Sequence, residues 1–166
     1  MLAVDGVDYA HAQSASREDV QAAFIHKFIK FIEWPDTALP SDSKVIVVGI
    51  IGKGPMVNAM VKIEGKEVGG LKIVVRQVER LREIESCNVL FISPSEEKRH
   101  EKILNHVKGS NILTVGQTKG FAHKGVIINF VIVGNKIRFE INLNAGAEAG
   151  LKISSKLLNL ATNVIR

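Results

Sequence analysis

The clearest alternation of apolar and polar residues lies near the C-terminus of the chain. Two apolar runs meet at Gly134-Asn135, and these two residue types readily adopt the positive φ angles of a two-residue hairpin turn. Along the second run every other residue is apolar: Ile137, Phe139, Ile141 and Leu143. Such alternation is typical of a strand that is buried on one face. The pattern predicts an antiparallel β-hairpin whose second strand has Arg138, Glu140 and Asn142 on its polar face.

The pattern changes from strand to helix directly after Leu143. The segment 144–150 predicts a short helical corner that ends at Gly150, and residues 153–161 predict a second helix with three leucines. The last strand is therefore expected to end in a tight helical turn.

A longer helix is predicted near the start of the chain. Ser16 and Asp19 have the spacing of a capping box. The helix is expected to end at Trp34-Pro35, because proline disfavours helical geometry in the residue before it. One stripe of this helix is apolar: Val20, Phe24, Phe28 and Phe31. Such a stripe favours packing against a sheet, but an aromatic helix edged with lysines also suits an interfacial membrane anchor.

Strands and helices alternate between these two ends. The predicted strands are 45–51, 71–75, 89–92 and 112–115, and the predicted helices are 55–61, 79–84 and 94–107. Ser93 and Glu96 are expected to form a capping box for the last of these helices. This order predicts an α/β fold, a three-layer Rossmann-like sandwich with a mainly parallel sheet, a C-terminal antiparallel hairpin and helices on both faces. In such sheets ligands bind beyond the carboxyl ends of the strands, here the turns after Ile51, Ile92 and Val115.

Length and composition favour one domain. The 166 residues are 46% hydrophobic, which is enough for a single core, so we expect one domain over residues 16–166. Residues 1–15 are expected to be a disordered leader or the remnant of a signal peptide, since Ala10-His11-Ala12 has the small-x-small pattern of a cleavage site. No apolar run is long enough to span a membrane.

The net charge of +5 suits an acidic partner or anionic lipid headgroups, although a solvated, lysine-rich surface is the favoured explanation. Nucleic acid is disfavoured because the basic residues are not interleaved with aromatic residues in a known reader motif.

The sequence contains no recognised catalytic, cofactor-binding or metal-binding motif. No phosphate-binding glycine loop or nucleophile elbow is present, and no aspartate follows Asp42. Cys87 is the single cysteine, and its place at the start of a predicted strand favours a small buried residue over a reactive thiol. His123, in the glycine-rich loop 116–125, is the histidine best placed for a site, although a surface role is favoured.

Four stretches carry a resemblance to a known family: "VQAAFIHKFIKFIEWP", "VIVVGIIG", "CNVLFI" and "GVIINFVIVGNKIRFEINLNAGAEAGLKISSKLLNLA". Together they resemble the YfiR-like family of bacterial periplasmic proteins. The resemblance implies a non-catalytic, exported repressor that holds a membrane-bound diguanylate cyclase inactive through the periplasmic sensor domain of that enzyme. It further implies control of cyclic di-GMP and biofilm formation, a homodimer, and a signal peptide ahead of the mature chain.

One departure from the family concerns cysteine. Some relatives pair the cysteine of the "CNVLFI" strand with a cysteine in the "VIVVG" strand, where this chain has Ile46 or its neighbours. Redox control through such a bridge is not expected here.

Two classes of function remain open from the sequence. The first is a repressor whose recognition surface, or shallow regulatory site, comprises Glu140, Leu143, Lys152 and Ser154. The second is a small-molecule-binding sensor or enzyme that uses the strand ends. A cavity there containing Lys119 or His123 would support the second class, and an apolar patch edged by Glu140 and Leu143 would support the first.

Overall fold

A computed structural model describes residues 15–166, so the predicted leader lies outside the described residues except for Ala15. Helices α1 to α5 are Arg17–Lys30, Met56–Val61, His100–Val107, Leu143–Glu148 and Ser155–Leu160. Strands β1 to β10 are Ile32–Glu33, Val45–Ile51, Glu67–Val68, Leu71–Val78, Val89–Ile92, Leu113–Gly116, Ile128–Val133, Lys136–Asn142, Lys152–Ile153 and Asn163–Ile165. Three 3-10 helices cover Leu81–Ser86, Pro94–Arg99 and Ala122–Lys124.

An eight-stranded sheet forms the centre of the domain, in the order β10-β8-β7-β6-β5-β2-β4-β3. The five strands from β7 to β4 in that order are parallel to one another, while β8 runs antiparallel to β7 and β3 runs antiparallel to β4. β10 is parallel to β8 and forms one edge. The predicted α/β class with a mainly parallel sheet is therefore confirmed. β10 pairs only with residues 140–142 of β8, so the beginning of the hairpin's second strand still lies at the sheet edge.

Apolar side chains fill both faces of the sheet. One core contains Ile25 and Phe28 of α1 together with residues of α2 and the sheet. The other contains Ile84 and residues of α3 against the opposite face. Strands β2 and β5 contribute to both cores, as expected for continuous apolar strands covered on both sides. The predicted placement of helices on both faces is confirmed.

The phenylalanine stripe of α1 packs against the hairpin. Phe28 is 0% exposed, and its ring centroid lies 5.6 Å from that of Phe130 and 4.9 Å from that of Phe139. Phe24 and Phe31 are half-buried against the same core. This stripe is thus occupied by the chain itself, so it offers no free apolar face to a membrane. Among the described residues, no helix has the length and apolar character that crossing a membrane requires.

The predicted hairpin turn and first helix start are confirmed. Gly134 and Asn135 have φ angles of 53° and 66°, as a two-residue turn of this type requires. At the start of α1 the Asp19 backbone N–H donates a hydrogen bond of 3.0 Å to the Ser16 Oγ.

Two predicted element ends were wrong. The first helix ends at Lys30, before Trp34, since Ile32 pairs with Ile153 in a separate two-stranded sheet, β1-β9. The last long strand ends at Asn142, whose side chain accepts a hydrogen bond of 2.9 Å from the Ala145 N–H and so caps α4. Leu143 is therefore the first residue of α4 and does not close the row of core-facing strand residues.

The capping box at Ser93 was also wrong. The Ser93 Oγ has no hydrogen-bond partner among the described residues, and the turn that follows, Pro94–Arg99, is a 3-10 helix. α3 starts only at His100. The predicted helix at 79–84 is likewise a 3-10 helix, over Leu81–Ser86.

Candidate functional site

Two of the four predicted site residues, Lys152 and Ser154, line one shallow depression of about 400 Å³. We call this depression the corner cleft; its lining residues are Lys30, Phe31, Ile32, Glu33, Lys152, Ile153, Ser154 and Lys156. The β1-β9 pairing holds the two sides together, and the Ser154 N–H donates a hydrogen bond of 3.0 Å to the Phe31 carbonyl oxygen. The corner cleft therefore joins the end of α1 to the start of α5.

The corner cleft is positively charged. Lys30, Lys152 and Lys156 are exposed, and Glu33 is the one acidic residue of its lining. The Ser154 hydroxyl oxygen accepts a hydrogen bond of 3.2 Å from the Lys156 N–H as the N-cap of α5. This charge balance suits an acidic partner surface.

The other two predicted residues lie elsewhere. Leu143 is half-buried at the start of α4, a helix that packs closely on the corner, since a Cβ on Gly146 would lie 2.8 Å from the Ile153 Cδ1. Glu140 lies beside β10, where the Asn163 Nδ2 is 3.4 Å from its Oε2. Glu140 also lines a different cavity. The structure brings Lys152 and Ser154 together but does not place Glu140 with them.

That second cavity, the strand-end cavity, measures about 600 Å³. Its lining residues are Arg17, Gln21, Gln117, Lys119, Gly120, His123, Phe130, Val131, Ile132 and Glu140. It exists because β6 ends at Gly116, paired with Asn129, whereas β7 continues to Val133. The loop after β6 and the first turns of α1 border the space beside the free part of β7. This is the carboxyl end of β6, one of the three places where the sequence predicted a ligand.

Buried amide groups without partners distinguish the strand-end cavity. Gln21 is 2% exposed, and its Oε1 has no hydrogen-bond partner among the described residues. The Oε1 of Gln117 lacks a partner as well, as do the neighbouring Thr118 Oγ1 and Asn129 Oδ1. Buried polar groups are almost always hydrogen-bonded to protein, water or ligand. Of these four residues, Gln21 and Gln117 belong to the lining of the strand-end cavity.

Sequence reasoning missed Gln21 and Gln117. A signal for Gln21 was present, because it lies four residues before Ile25 and seven before Phe28, in the stripe of α1 that faces the core. No comparable signal marks Gln117, which reaches the cavity only through the path of the loop after β6. Lys119 and His123, named from the sequence as markers of a strand-end site, are both present in the lining.

A third depression at the carboxyl ends of β2 and β4 has its polar groups largely paired. It measures about 670 Å³ and contains Lys53 and Gln77. The Gln77 Nε2 donates to the carbonyl oxygens of Ile50 and Gly52, at 3.3 and 2.9 Å. The Ser95 Oγ accepts from the Lys53 N–H at 2.9 Å. These side chains are satisfied by the protein itself, so they give no comparable sign of a ligand.

Cys87 is buried and packs against β2. Its side chain is 5% exposed, and burial raises the pKa of its thiol above the ordinary value. The part of β2 that it meets is Gly49, where an added Cβ would lie 2.5 Å from the Cys87 Sγ. Ile46 belongs to the core on the other face of the sheet. In residues 15–166, no cluster of three or more His, Cys, Asp or Glu side chains is arranged to hold a metal ion.

Comparison with known proteins gives one family match. The family described as DUF4154, YfiR/HmsC-like, matches residues 18–162, which is nearly the whole described chain.

Two solved structures have a similar fold. One is the ABC domain in complex with L-Trp from Streptococcus pneumonia, with a TM-score of 0.54 and 13% identity over 73% of this chain and 55% of that one. The other is a conserved domain protein from Vibrio cholerae O1 biovar eltor, with a TM-score of 0.59 and 13% identity over 90% of this chain and 60% of that one. The chain thus spans little more than half the length of either protein. At this identity the likeness shows the α/β fold alone.

Proposed function

Because the chain belongs to the YfiR/HmsC-like family, we propose that it is a non-catalytic periplasmic regulator that binds the periplasmic sensor domain of a membrane-bound diguanylate cyclase and represses it. The family match over residues 18–162 is the observation that carries this proposal. Release of the repressor would raise cyclic di-GMP in the cell and promote biofilm formation. The protein acts here as a binding module, without cofactor or metal.

We place the recognition surface at the corner cleft and the adjoining start of α4. The exposed lysines Lys152 and Lys156 give the cleft a positive charge for an acidic patch of the sensor domain. Ser154 and the half-buried Leu143 supply a polar and an apolar contact beside it. Glu140 belongs to this proposal as a more distant contact, since it lies beside β10.

Charge reversal at the corner cleft tests the recognition surface. Lys152→Glu is expected to abolish repression in cells and to weaken binding to the purified sensor domain by about 2 kcal/mol or more, the size of a hot-spot effect. Lys102→Glu, an equal charge change at an exposed position of α3, is the matched control and should repress normally. Equal repression by both variants would place the partner surface elsewhere.

Truncation of the two other residues gives a second test. Leu143→Ala and Glu140→Ala are expected to release cyclase activity while the purified variants keep the circular dichroism spectrum of the parent protein. If Glu140→Ala represses fully while Leu143→Ala and Lys152→Glu do not, the surface is limited to the corner. Loss of folding in Leu143→Ala would instead assign that residue to packing.

Export is tested separately. Fractionation of cells that express the full-length gene is expected to place the mature protein in the periplasm. Its presence in the cytosol as an unprocessed product would contradict the regulatory proposal as a whole.

A second candidate function is the sensing of a small molecule. The specific observation that favours it is the strand-end cavity, which is lined by both Lys119 and His123 and by the amide side chains of Gln21 and Gln117. A ligand bound there would touch the first turns of α1, whose other end forms the corner cleft. Direct binding measurements on the isolated protein test this function without any cyclase.

A further inference from the structure

The last part of β7 is an open strand edge. β6 ends at Gly116, opposite Asn129, whereas β7 continues to Val133. The Asn129 Nδ2 donates a hydrogen bond of 2.8 Å to the Thr118 carbonyl oxygen, which holds the following loop at the end of β6. On the β6 side of residues 131–133, no strand of the described chain is paired with β7. The strand-end cavity is the space beside this edge.

The backbone groups of Ile132 point towards this space. The Asn142 N–H donates a hydrogen bond of 2.8 Å to the Ile127 carbonyl oxygen. Because backbone direction alternates along a strand, the odd-numbered residues of β7 face β8 and the even-numbered residues face the side of β6. Ile132 lies beyond the end of β6, and its backbone has no hydrogen-bond partner in another element among the described residues. An unpaired edge of this kind is a template for a further strand.

The side chains along the open edge of β7 are apolar. Ile132 is 45% exposed and Val133 is 54% exposed, while Val131 is half-buried. Natural edge strands are usually protected from pairing by charged side chains, above all lysine. The uncovered start of β8 has this protection, because Lys136 and Arg138 are exposed there. Residues 130–134 contain no charged residue, so the open edge of β7 favours pairing with another strand.

The order of residues on this edge suits a second copy of the same strand. In an antiparallel pair centred on Ile132, this residue lies opposite its own copy, and Val131 lies opposite the partner's Val133. Each of these pairs is apolar. Ile137 of β8 is the cross-strand neighbour of Ile132, so the two paired hairpins have a row of four isoleucines on one face. Apolar side chains that lie directly opposite each other stabilise a sheet.

Charge favours self-pairing of β7 over self-pairing of β8. If the uncovered start of β8 paired with its own copy about Ile137, Lys136 would lie opposite the partner's Arg138 on both sides of the axis. Like charges that lie directly opposite each other are destabilising. When the pairing runs through β7, these cations lie on the outer strands, about 14 Å apart at a strand spacing of about 4.8 Å.

We propose that the open edge of β7 pairs with the same edge of a second copy of this chain, antiparallel and centred on Ile132. The two hairpins then form one four-stranded sheet across a two-fold axis, and β7 of each copy lies in the strand-end cavity of the other. A contact that uses the same surface on both copies closes after two subunits. This pairing requires neither the repressor function nor the sensing of a small molecule, and it specifies the surface and the register of a homodimer.

Charge variants at Ile132 test the register. Ile132→Lys and Ile132→Glu each place two like charges directly opposite each other, so each should raise the dimer dissociation constant measured by light scattering by about tenfold. An equal mixture of the two variants should restore the affinity of the parent protein, because a lysine then lies opposite a glutamate. Val61→Lys and Val61→Glu, at a position of α2 that is 60% exposed, are the matched controls and should dimerise like the parent protein.

Cysteine substitutions locate the two-fold axis independently of charge. In the Cys87→Ala protein, Ile132→Cys places two thiols on a hydrogen-bonded residue pair whose Cα atoms are about 5.5 Å apart, within the range of a disulfide. Val133→Cys, on the same edge and more exposed, places the two thiols on a diagonal with Cα atoms about 7–8 Å apart, beyond that range. In a glutathione redox buffer, only Ile132→Cys is expected to form a covalent dimer.

Amide hydrogen exchange tests the pairing in the unmodified chain. The Ile132 N–H should exchange more slowly as the protein concentration rises, whereas the Val131 and Val133 N–H groups, which face β8, should not change. The pairing is overturned by a monomer at every concentration tested, by a dimer that Ile132→Lys leaves intact, or by a mixture of the charge variants that stays monomeric. Equal cross-linking of the two cysteine variants overturns it as well. Because no cyclase is present, these outcomes leave the repressor function to its own tests.

Discussion

Among the residues of the sheet, Gly49 is the position where an added methyl group is expected to lower the stability of the fold most. An alanine Cβ at this site would lie 2.5 Å from the Cys87 Sγ and 3.1 Å from the Val78 Cγ2. Overpacking of a core costs about 1–3 kcal/mol. We therefore expect Gly49→Ala to lower the free energy of unfolding by that amount, measured by urea denaturation.

A double-mutant cycle shows whether the cysteine causes this loss. Cys87→Ala removes the sulfur that the new methyl group would meet, so Gly49→Ala should cost less in the Cys87→Ala background than in the parent protein. Equal costs in both backgrounds would assign the effect to Val78 or to the strand backbone.

Cys87 is also expected to be unreactive in the folded protein. Burial raises the pKa of its thiol, and thiol reagents attack the thiolate. An aromatic disulfide reagent at pH 8 should therefore label Cys87 slowly in the native protein and rapidly in urea. Rapid labelling without denaturant would show that the thiol is accessible. The buried position that the sequence favoured for Cys87 is confirmed by its 5% exposure.

At the scale of single elements, α1 depends on one aromatic side chain more than on the others. Phe28 is fully buried between Phe130 and Phe139, whereas Phe31 is half-buried at the end of the helix. Phe28→Ala should cost about 3–5 kcal/mol of unfolding free energy. Phe31→Ala should cost clearly less. Similar losses in calorimetry would contradict this division of the stripe.

The ion pair between α1 and the end of α2 gives stability a pH dependence. The Lys62 Nζ lies 2.8 Å from the Asp19 Oδ2, and this hydrogen bond lowers the pKa of Asp19. Because the pKa of Asp19 is lower in the folded state, the ion pair stabilises the fold at pH values above the unfolded-state pKa of about 3.9. This stabilisation is lost as the pH falls through the pKa of Asp19 in the folded protein.

Asp19→Asn should accordingly be less stable than the parent at pH 7, with a difference that shrinks towards pH 3. The effect is expected to be small, since the pair is solvent-exposed. Asp42→Asn, at an exposed position shortly before β2, serves as the control. If the stability difference between Asp19→Asn and the parent protein stays constant between pH 7 and pH 3, the titration of Asp19 is not its cause.

For the whole molecule, α1 connects the two candidate sites. Arg17 and Gln21 at its start line the strand-end cavity, and Lys30 at its end lines the corner cleft. A helix of 14 residues is about 20 Å long. Ligand binding and partner recognition are therefore assigned to the two ends of one helix, and Glu140 is the residue named for both.

Self-association is expected at the same scale. The family resemblance implies a homodimer, and light scattering at micromolar concentration should give twice the monomer mass. The α1 stripe is occupied by the core, so Phe28 should not be part of the interface. A monomer at every concentration tested would contradict the prediction.

The sequence alone determined those features that depend on neighbouring residues. Strand β2 has the bounds predicted from its apolar run, and so has β5. The turn at Gly134-Asn135 follows from the φ preferences of its two residues. Side-chain periodicity and backbone preference act over a few residues, so each can be read directly from the chain.

The tertiary structure decided those features that depend on strand pairing and on the residue at which each strand ends. α1 ends early because Ile32 pairs with a residue far along the chain, Ile153. The strand-end cavity exists because β6 stops opposite Asn129 while β7 continues. Gln21 lines this cavity because the start of α1 lies beside the free part of β7. A glutamine within an apolar stripe does not by itself indicate which part of the fold the side chain faces. Pairing and register are set by the balance of contacts over the whole sheet, so no local pattern specifies them.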